Sequence, residues 1–381
     1  MREIIPKGRA RAMVVGGLLL HCLVACGGTG GTDASSGATP VSSLNTTSTT
    51  ASDFGIETSA PPVTIEKSTT VESPTTVSKT VELYEGVNPS TTPIGSATDE
   101  WVDTPDGRRR HYRLYVPSTI RAGQAVPLVV ALHGGLGSSE QFAANSGFDE
   151  LAESNGFIVV YPDGVRAVPD RPGLQTWNGG YCCGPAARKN VDDVGFIRFL
   201  IDLVEERFSI DPNRVFATGH SNGAIMAYRL ACELADRIVA IGVQAGSLGV
   251  DDCRPSEPVS VLHLHGLADS NHPIDGGVGT GVSGVAFRSG REAVTTLAGV
   301  NSCDESPIVE AVPANGEVEI STWAGCRGGT EVRLVTVEGA SHAWMGHSVA
   351  NPRAAALVGE PYMNLDASRL MWSFLSAHPR V

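Results

Sequence analysis

The chain has 381 residues, 41% of them hydrophobic, and a formal net charge of -13. That length allows one large domain or two ordinary ones with a substantial core. The acidic balance argues against nucleic acid as a partner and says little about fold.

Basic residues Arg2, Lys7, Arg9 and Arg11 precede an apolar run from Met13 to Ala25. The run is too short and too interrupted by glycine to span a bilayer, so residues 1–25 are expected to form an export signal. It ends in Leu23-Val24-Ala25-Cys26-Gly27-Gly28, which resembles the bacterial lipobox. That resemblance implies cleavage before Cys26 and acylation of the cysteine, against the plainer reading of a secretory signal with a chance cysteine. Several acyl chains on one residue give stable anchoring. The protein is thus expected outside the cytoplasm, attached to the outer face of the membrane through its lipid or secreted. Residues 26–98 are rich in Ser, Thr, Pro and Gly and read as a disordered tether, because they cannot bury enough surface to offset ordering entropy.

A folded domain is expected from residue 99 to residue 381. Arg110, Tyr112, Leu114 and Val116 alternate as a half-buried strand does. Pro127 to Leu132 is a continuous apolar run of the kind buried on both faces of a parallel sheet. It stops at His133-Gly134-Gly135-Leu136-Gly137, and a helix is expected from Ser139 to Ser154, then a buried strand from Phe157 to Tyr161. A loop carries Trp177-Asn178 and Cys182-Cys183 before a helix from Asp192 to about Phe208. Strands follow near Ile238 to Val243, Val259 to Leu264, Val318 to Trp323 and Val332 to Val337. Helices are expected around Gly290 to Leu297 and from Asp366 to Ala377. This alternation predicts an α/β fold with a mostly parallel central sheet and helices on both faces. Between Val243 and Val259 only a short segment fits, so no large cap domain is expected.

Between the first and second halves lies Val215 to Tyr228, read as strand, sharp turn and helix around Gly219-His220-Ser221-Asn222-Gly223. This is G-x-S-x-G in the setting of a nucleophile elbow, where side chains at the two glycines would collide with the crossing strand or helix. A serine needs a base, and the base needs a carboxylate to fix its tautomer. Searching downstream in the order Ser, Asp, His gives Asp269, with Asp275 as competitor, and His342, with His347 as competitor. His220 is read as packing or hydrogen-bonding beside the sheet, His263 and His265 as core histidines with satisfied nitrogens, and His133 as a brace of the glycine loop. An oxyanion hole is expected from the amide of Asn222 and from Gly135 or Leu136. Six cysteines remain after the targeting segment. Proximity pairs Cys232 with Cys253 and Cys303 with Cys326, each closing a loop of roughly 20 residues and contributing about 3 kcal/mol, and leaves Cys182 to Cys183. No metal-ligand spacing or dinucleotide fingerprint is present, so no cofactor or metal is expected.

Taken together, His133-Gly134-Gly135, Trp177-Asn178 with Cys182-Cys183-Gly184, Val191-Asp192-Asp193-Val194-Gly195-Phe196, the elbow, His265-Gly266 with Asp269, and Ser341-His342-Ala343-Trp344 resemble the bacterial polyhydroxybutyrate depolymerase and feruloyl esterase family of α/β hydrolases, including its lipoprotein members. The resemblance implies an α/β-hydrolase fold and a serine carboxylesterase with Ser221, Asp269 and His342 as triad. Ala224, Met345 and the stretch Asn271 to Asp275 depart from the family pattern at positions around the pocket. Trp177, Tyr181 and Trp344 are either the edges of an open substrate groove or core residues. The expected substrate is a phenolic or short-chain acyl ester, polymer-derived. The competing readings are hydroxyalkanoate depolymerisation and a non-catalytic surface binding protein on the same fold.

Overall fold

The computed structural model describes residues 95–166, 173–281, 283–312, 317–349 and 352–381. The export signal, Cys26 and nearly all of the tether fall outside the described residues.

Ten strands form the main sheet: β1 (Ser96–Asp103), β2 (Arg109–Val116), β3 (Val126–Leu132), β4 (Ile158–Pro162), β5 (Ile210–His220), β6 (Ala240–Gln244), β7 (Ser260–Gly266), β8 (Ile308–Ala311), β9 (Val318–Trp323) and β10 (Val332–Val337). Their order across the sheet is β1-β2-β4-β3-β5-β6-β7-β10-β9-β8. The central strands β4, β3, β5, β6, β7 and β10 pair in parallel, and the outer pairs are antiparallel. Helices α1 (Ser139–Ser146), α2 (Phe148–Asn155), α3 (Gly184–Arg188), α4 (Asp193–Arg207), α5 (Asn222–Glu233), α6 (Gly290–Val300), α7 (Pro352–Val358) and α8 (Ala367–Ala377) complete the order. This is the α/β-hydrolase arrangement.

Two cores lie against the two faces of the sheet, and β3 shows why both exist. Every residue of β3 is buried. Because successive side chains of a strand point to opposite faces, Leu128, Val130 and Leu132 join one core while Val129 and Ala131 join the other. The first core takes Phe196, Ile197 and Leu200 of α4, Met226 of α5 and Leu297 of α6. The second takes Phe142 of α1, Phe148 of α2 and Met371 and Phe374 of α8. A strand buried on both faces must be apolar throughout, which is why these segments read as continuous runs.

Two elements differ from the sequence reading. The helix expected over residues 139–154 is two helices, broken at Gly147, which takes φ 68°. That left-handed conformation ends α1 and redirects the chain into α2. Strand β8 was not anticipated. Its four residues, Ile308, Val309, Glu310 and Ala311, are all exposed, so it lacks the alternation of a half-buried strand and is defined by pairing with β9 alone. Residues 245–259, between β6 and β7, contain no helix or strand. The structure joins Cys182 to Cys183, Cys232 to Cys253 and Cys303 to Cys326. Among the described residues no helix is long and apolar enough to cross a membrane.

Candidate active site

Parallel strands β5, β7 and β10 end at one edge of the sheet, so the loops that follow them converge. The loop after β5 is the elbow. Ser221 stands between β5 and α5 with φ 55° and ψ -117°, a conformation a non-glycine residue holds only when its surroundings impose it. Those surroundings are specific: the Ser221 amide donates to the carbonyl of Gln244 at the end of β6 (2.9 Å). A side chain at Gly223 would strike the carbonyls of Leu132 and His133, and one at Gly219 would strike the backbone of Gly223. The turn therefore sits as close to β3 as a backbone can.

The loops after β7 and β10 carry Asp269 and His342. His342 Nδ1 donates to Asp269 Oδ2 across 2.6 Å, and both residues are buried. The other oxygen, Oδ1, accepts the amides of Asn271 and His272, each at 2.9 Å. Burial by itself would raise the Asp269 carboxyl. The hydrogen bond and charge of His342 and the His272 amide outweigh it and hold the carboxyl below its usual range. With Nδ1 committed to the carboxylate, the imidazole presents Nε2 as its free base. The competitors lie elsewhere: Asp275 is an exposed partner of Arg291 (3.1 Å), and His347 pairs with Asp366 (3.3 Å).

The glycine loop after β3 lies against the elbow. A Cβ at Gly135 would meet the Cβ of Asn222 at 3.5 Å, and one at Gly134 would meet that of Ser221 at 3.6 Å. The amides of Gly135 and Asn222 have no hydrogen-bond partner among the described residues. The amide of Leu136, the alternative read from the sequence, donates to the carbonyl of Gln175 (2.8 Å) and is not free to hold an oxyanion. His133 fixes this loop. Its Nε2 accepts the Gly164 amide (3.0 Å), so Nδ1 carries the proton and donates to the Gly134 carbonyl (2.8 Å).

Of the two readings of the aromatic residues, groove edge or core, the core holds for Trp177 and Trp344. Trp177 is fully buried in the core. Its indole donates to the His133 carbonyl (3.0 Å), and its backbone exchanges two hydrogen bonds with the Asn222 side chain (2.7 and 3.1 Å). Trp344 is also buried, packed edge-on against Phe142 with its indole on Ser368 (3.0 Å). Tyr181 is half-buried, its hydroxyl held by Ser247 (3.0 Å) and the Arg288 amide (3.1 Å), with the Arg288 guanidinium over its ring. None of the three lines the cleft beside His342. That cleft, about 280 Å³, is bounded by Ser270, Asn271, Thr280, Ser341 and Leu357.

Two positioning contacts were not legible. The Gln244 side chain donates to the Ala343 carbonyl (2.8 Å) and accepts the Met345 amide (3.1 Å), so one residue holds the histidine loop with its side chain and Ser221 with its carbonyl. A lone polar residue closing the apolar strand Ala240 to Val243 is the signal that could have pointed to it. His220, read as packing or hydrogen-bonding beside the sheet, is the second, its partner being what the sequence did not show. Its Nε2 donates to the His342 carbonyl (2.7 Å), and burial, reinforced by the neighbouring His342, pushes its pKa down to about 3, so it works as a neutral donor. Deeper in, Arg110 pairs with Asp193 (2.8 Å), both buried, and Asp193 also accepts the Asn178 amide (2.8 Å). This network seats the Trp177-Asn178 segment behind the elbow.

A family profile described as "Putative esterase" matches residues 105–274, a span that includes Ser221 and Asp269 and stops before His342. "Putative esterase NocK" of Nocardia uniformis subsp. tsuyamanensis is 30% identical over 288 residues, covering 71% of this chain and 80% of that protein. "Feruloyl esterase B" of Piromyces equi is 31% identical over 234 residues, 60% of this chain. The chain spans only 41% of the length of that protein. An acetyl xylan esterase from Aspergillus awamori matches 64% of this chain at 19% identity with a TM-score of 0.49.

Proposed function

The chain belongs to the feruloyl-esterase-like family of α/β-hydrolase esterases, and from that premise we propose that it is an extracytoplasmic serine carboxylesterase working through an acyl-serine intermediate. The observation that carries the reading is the buried 2.6 Å bond from His342 Nδ1 to Asp269, on the same sheet edge as a serine held at φ 55°. His342 Nε2 takes the proton of Ser221 Oγ as that oxygen attacks the ester carbonyl carbon. The amides of Asn222 and Gly135 receive the negative charge that develops on the carbonyl oxygen, a contribution of about 3 kcal/mol for each such donor. The imidazolium then protonates the leaving alcohol, and water enters by the same base to release the acid.

The cleft beside His342 supports a choice of substrate. At about 280 Å³ it lies at the small end for ligand sites, and Ser270, Asn271, Thr280 and Ser341 offer hydroxyl and amide groups. That lining suits a short acyl or single-ring phenolic ester on a hydroxyl-rich alcohol, the chemistry named for the Piromyces feruloyl esterase. It suits a buried polyester chain less, which puts hydroxyalkanoate depolymerisation second. The basic and apolar run before Cys26 supports export and a lipid anchor on that cysteine. Ser221→Ala should abolish turnover of methyl ferulate and p-nitrophenyl acetate, and a fluorophosphonate should label the wild type and not the variant. Wild-type turnover by Ser221→Ala overturns Ser221 as the nucleophile, and folded wild type that resists labelling overturns the reading in favour of a binding protein.

A further inference from the structure

Behind Asp269 runs a buried row of polar side chains for which the chemistry above has no use. Tyr228 on α5 and His263 and His265 on β7 are each fully buried. Tyr228 Oη lies 2.7 Å from His263 Nδ1, His263 Nε2 lies 2.9 Å from His265 Nδ1, and His265 Nε2 lies 2.8 Å from the carbonyl oxygen of His272. The last contact fixes the rest. A carbonyl only accepts, so His265 Nε2 carries that ring's proton and Nδ1 is an acceptor. His263 must then donate from Nε2 and accept at Nδ1, where the Tyr228 hydroxyl is the donor. Each ring is neutral, each nitrogen is paired, and every proton points toward residue 272. The opposite polarity would set a lone pair of His265 against a carbonyl in a dry interior, which is the costly arrangement.

The end of the row matters because of what residue 272 does. Its carbonyl accepts from His265, and its amide donates to Asp269 Oδ1 (2.9 Å). His265 Nε2 also stands 3.7 Å from Asp269 Oδ2, the oxygen that accepts His342. We propose that Tyr228, His263 and His265 form a donor chain of fixed polarity that positions the Asp269 carboxylate, with His265 as a positioning residue for the Asp269–His342 pair. The inference rests on the triad reading given under Proposed function.

The charges around the row agree with neutral rings. Burial pushes His265 down to about 4 against the opposing charge of Asp269 and the His272 carbonyl, and the facing His342 and Arg291 push the same way as burial. His263, facing His265, His272 and Arg291, is held well below the ordinary imidazole value by burial first. At neutral pH neither ring is an acid, so the row orients and does not shuttle protons.

The test uses the full chain, ring-nitrogen NMR and steady-state kinetics on p-nitrophenyl acetate. Two-bond proton–nitrogen spectra should show His263 and His265 both protonated at Nε2. His265→Leu should lower kcat about 10- to 100-fold with KM nearly unchanged, as expected for a misplaced catalytic group. His265→Gln, whose amide nitrogen can still donate to the His272 carbonyl, should recover most of that loss. Tyr228→Phe leaves His263 Nδ1 without its donor and should lower kcat less than His265→Leu does, while the His272 carbonyl keeps both rings protonated at Nε2. A proton on Nδ1 of either histidine in the wild type, or His265→Leu with wild-type kcat, overturns the proposal. If His265→Leu does not fold, the wild-type spectra and the Gln and Phe variants still decide it. Because the spectra read the row without turnover, their failure is distinct from survival of activity in Ser221→Ala, which would remove the triad itself.

Discussion

Asp269 and Asp275 share one loop, yet only Asp269 is buried against a histidine, while Asp275 meets Arg291 at the surface. The difference predicts a difference in kinetics. Asp269→Asn leaves the fold but removes the charge that fixes the His342 tautomer, and kcat should fall roughly a thousand- to ten-thousandfold. Asp275→Asn should leave kcat within about twofold, since exposed pairs contribute little. Comparing the two variants on p-nitrophenyl acetate checks the assignment, and equal losses would refute it. At this scale the sequence was informative where chemistry imposes order along the chain, since the Asp269 and His342 it paired are joined by a buried hydrogen bond. It was uninformative where the answer depends on burial. Trp177, Tyr181 and Trp344 have amphipathic side chains that suit a groove or a core equally well, and only packing shows two of them inside and the third clamped by Arg288. Leu136 was a fair donor until its amide met Gln175.

Among the elements, β6 has a function beyond filling the sheet. It ends in Gln244, whose backbone holds Ser221 and whose side chain holds Ala343 and Met345. A methionine there would fill similar volume and leave one buried carbonyl and one buried amide unpaired, a cost of about 1–3 kcal/mol for each. Gln244→Met should therefore lower the thermal midpoint and also lower kcat more than it changes KM, because the histidine loop loses its tie to the elbow. Calorimetry with kinetics on the same preparation checks this, and a stability loss with unchanged kcat would limit Gln244 to a structural part. The central strands were legible because burial on both faces demands unbroken apolar runs. The edge strand β8 was not, since four residues exposed on both faces carry no apolar–polar alternation, although Ile308 and Val309 are apolar. The break between α1 and α2 depended on one glycine adopting a left-handed conformation, which helical periodicity on either side conceals.

Over the whole molecule, five of the described imidazoles are buried in neutral form. Burial is the leading cause for His133, His220, His263, His265 and His272, which all titrate below their ordinary 6.5, with His220 and His272 at about 3 and His265 at about 4. In the unfolded chain these groups take up protons as pH falls through 6.5, while the folded chain does not. The unfolded state thus binds more protons in that window, and stability must fall with falling pH, by about 1.4 kcal/mol per pH unit for each proton. Asp149 acts the other way: burial raises it to about 6, so the folded chain keeps a proton that the unfolded chain has lost. One such group cannot cancel five. The urea midpoint, measured without reductant so that the disulfides stay closed, should be level above about pH 7 and drop steeply between about pH 6 and pH 4. A midpoint that stays level across that range would mean that the buried histidines are already charged in the folded state. That outcome would also undo the neutral row behind Asp269.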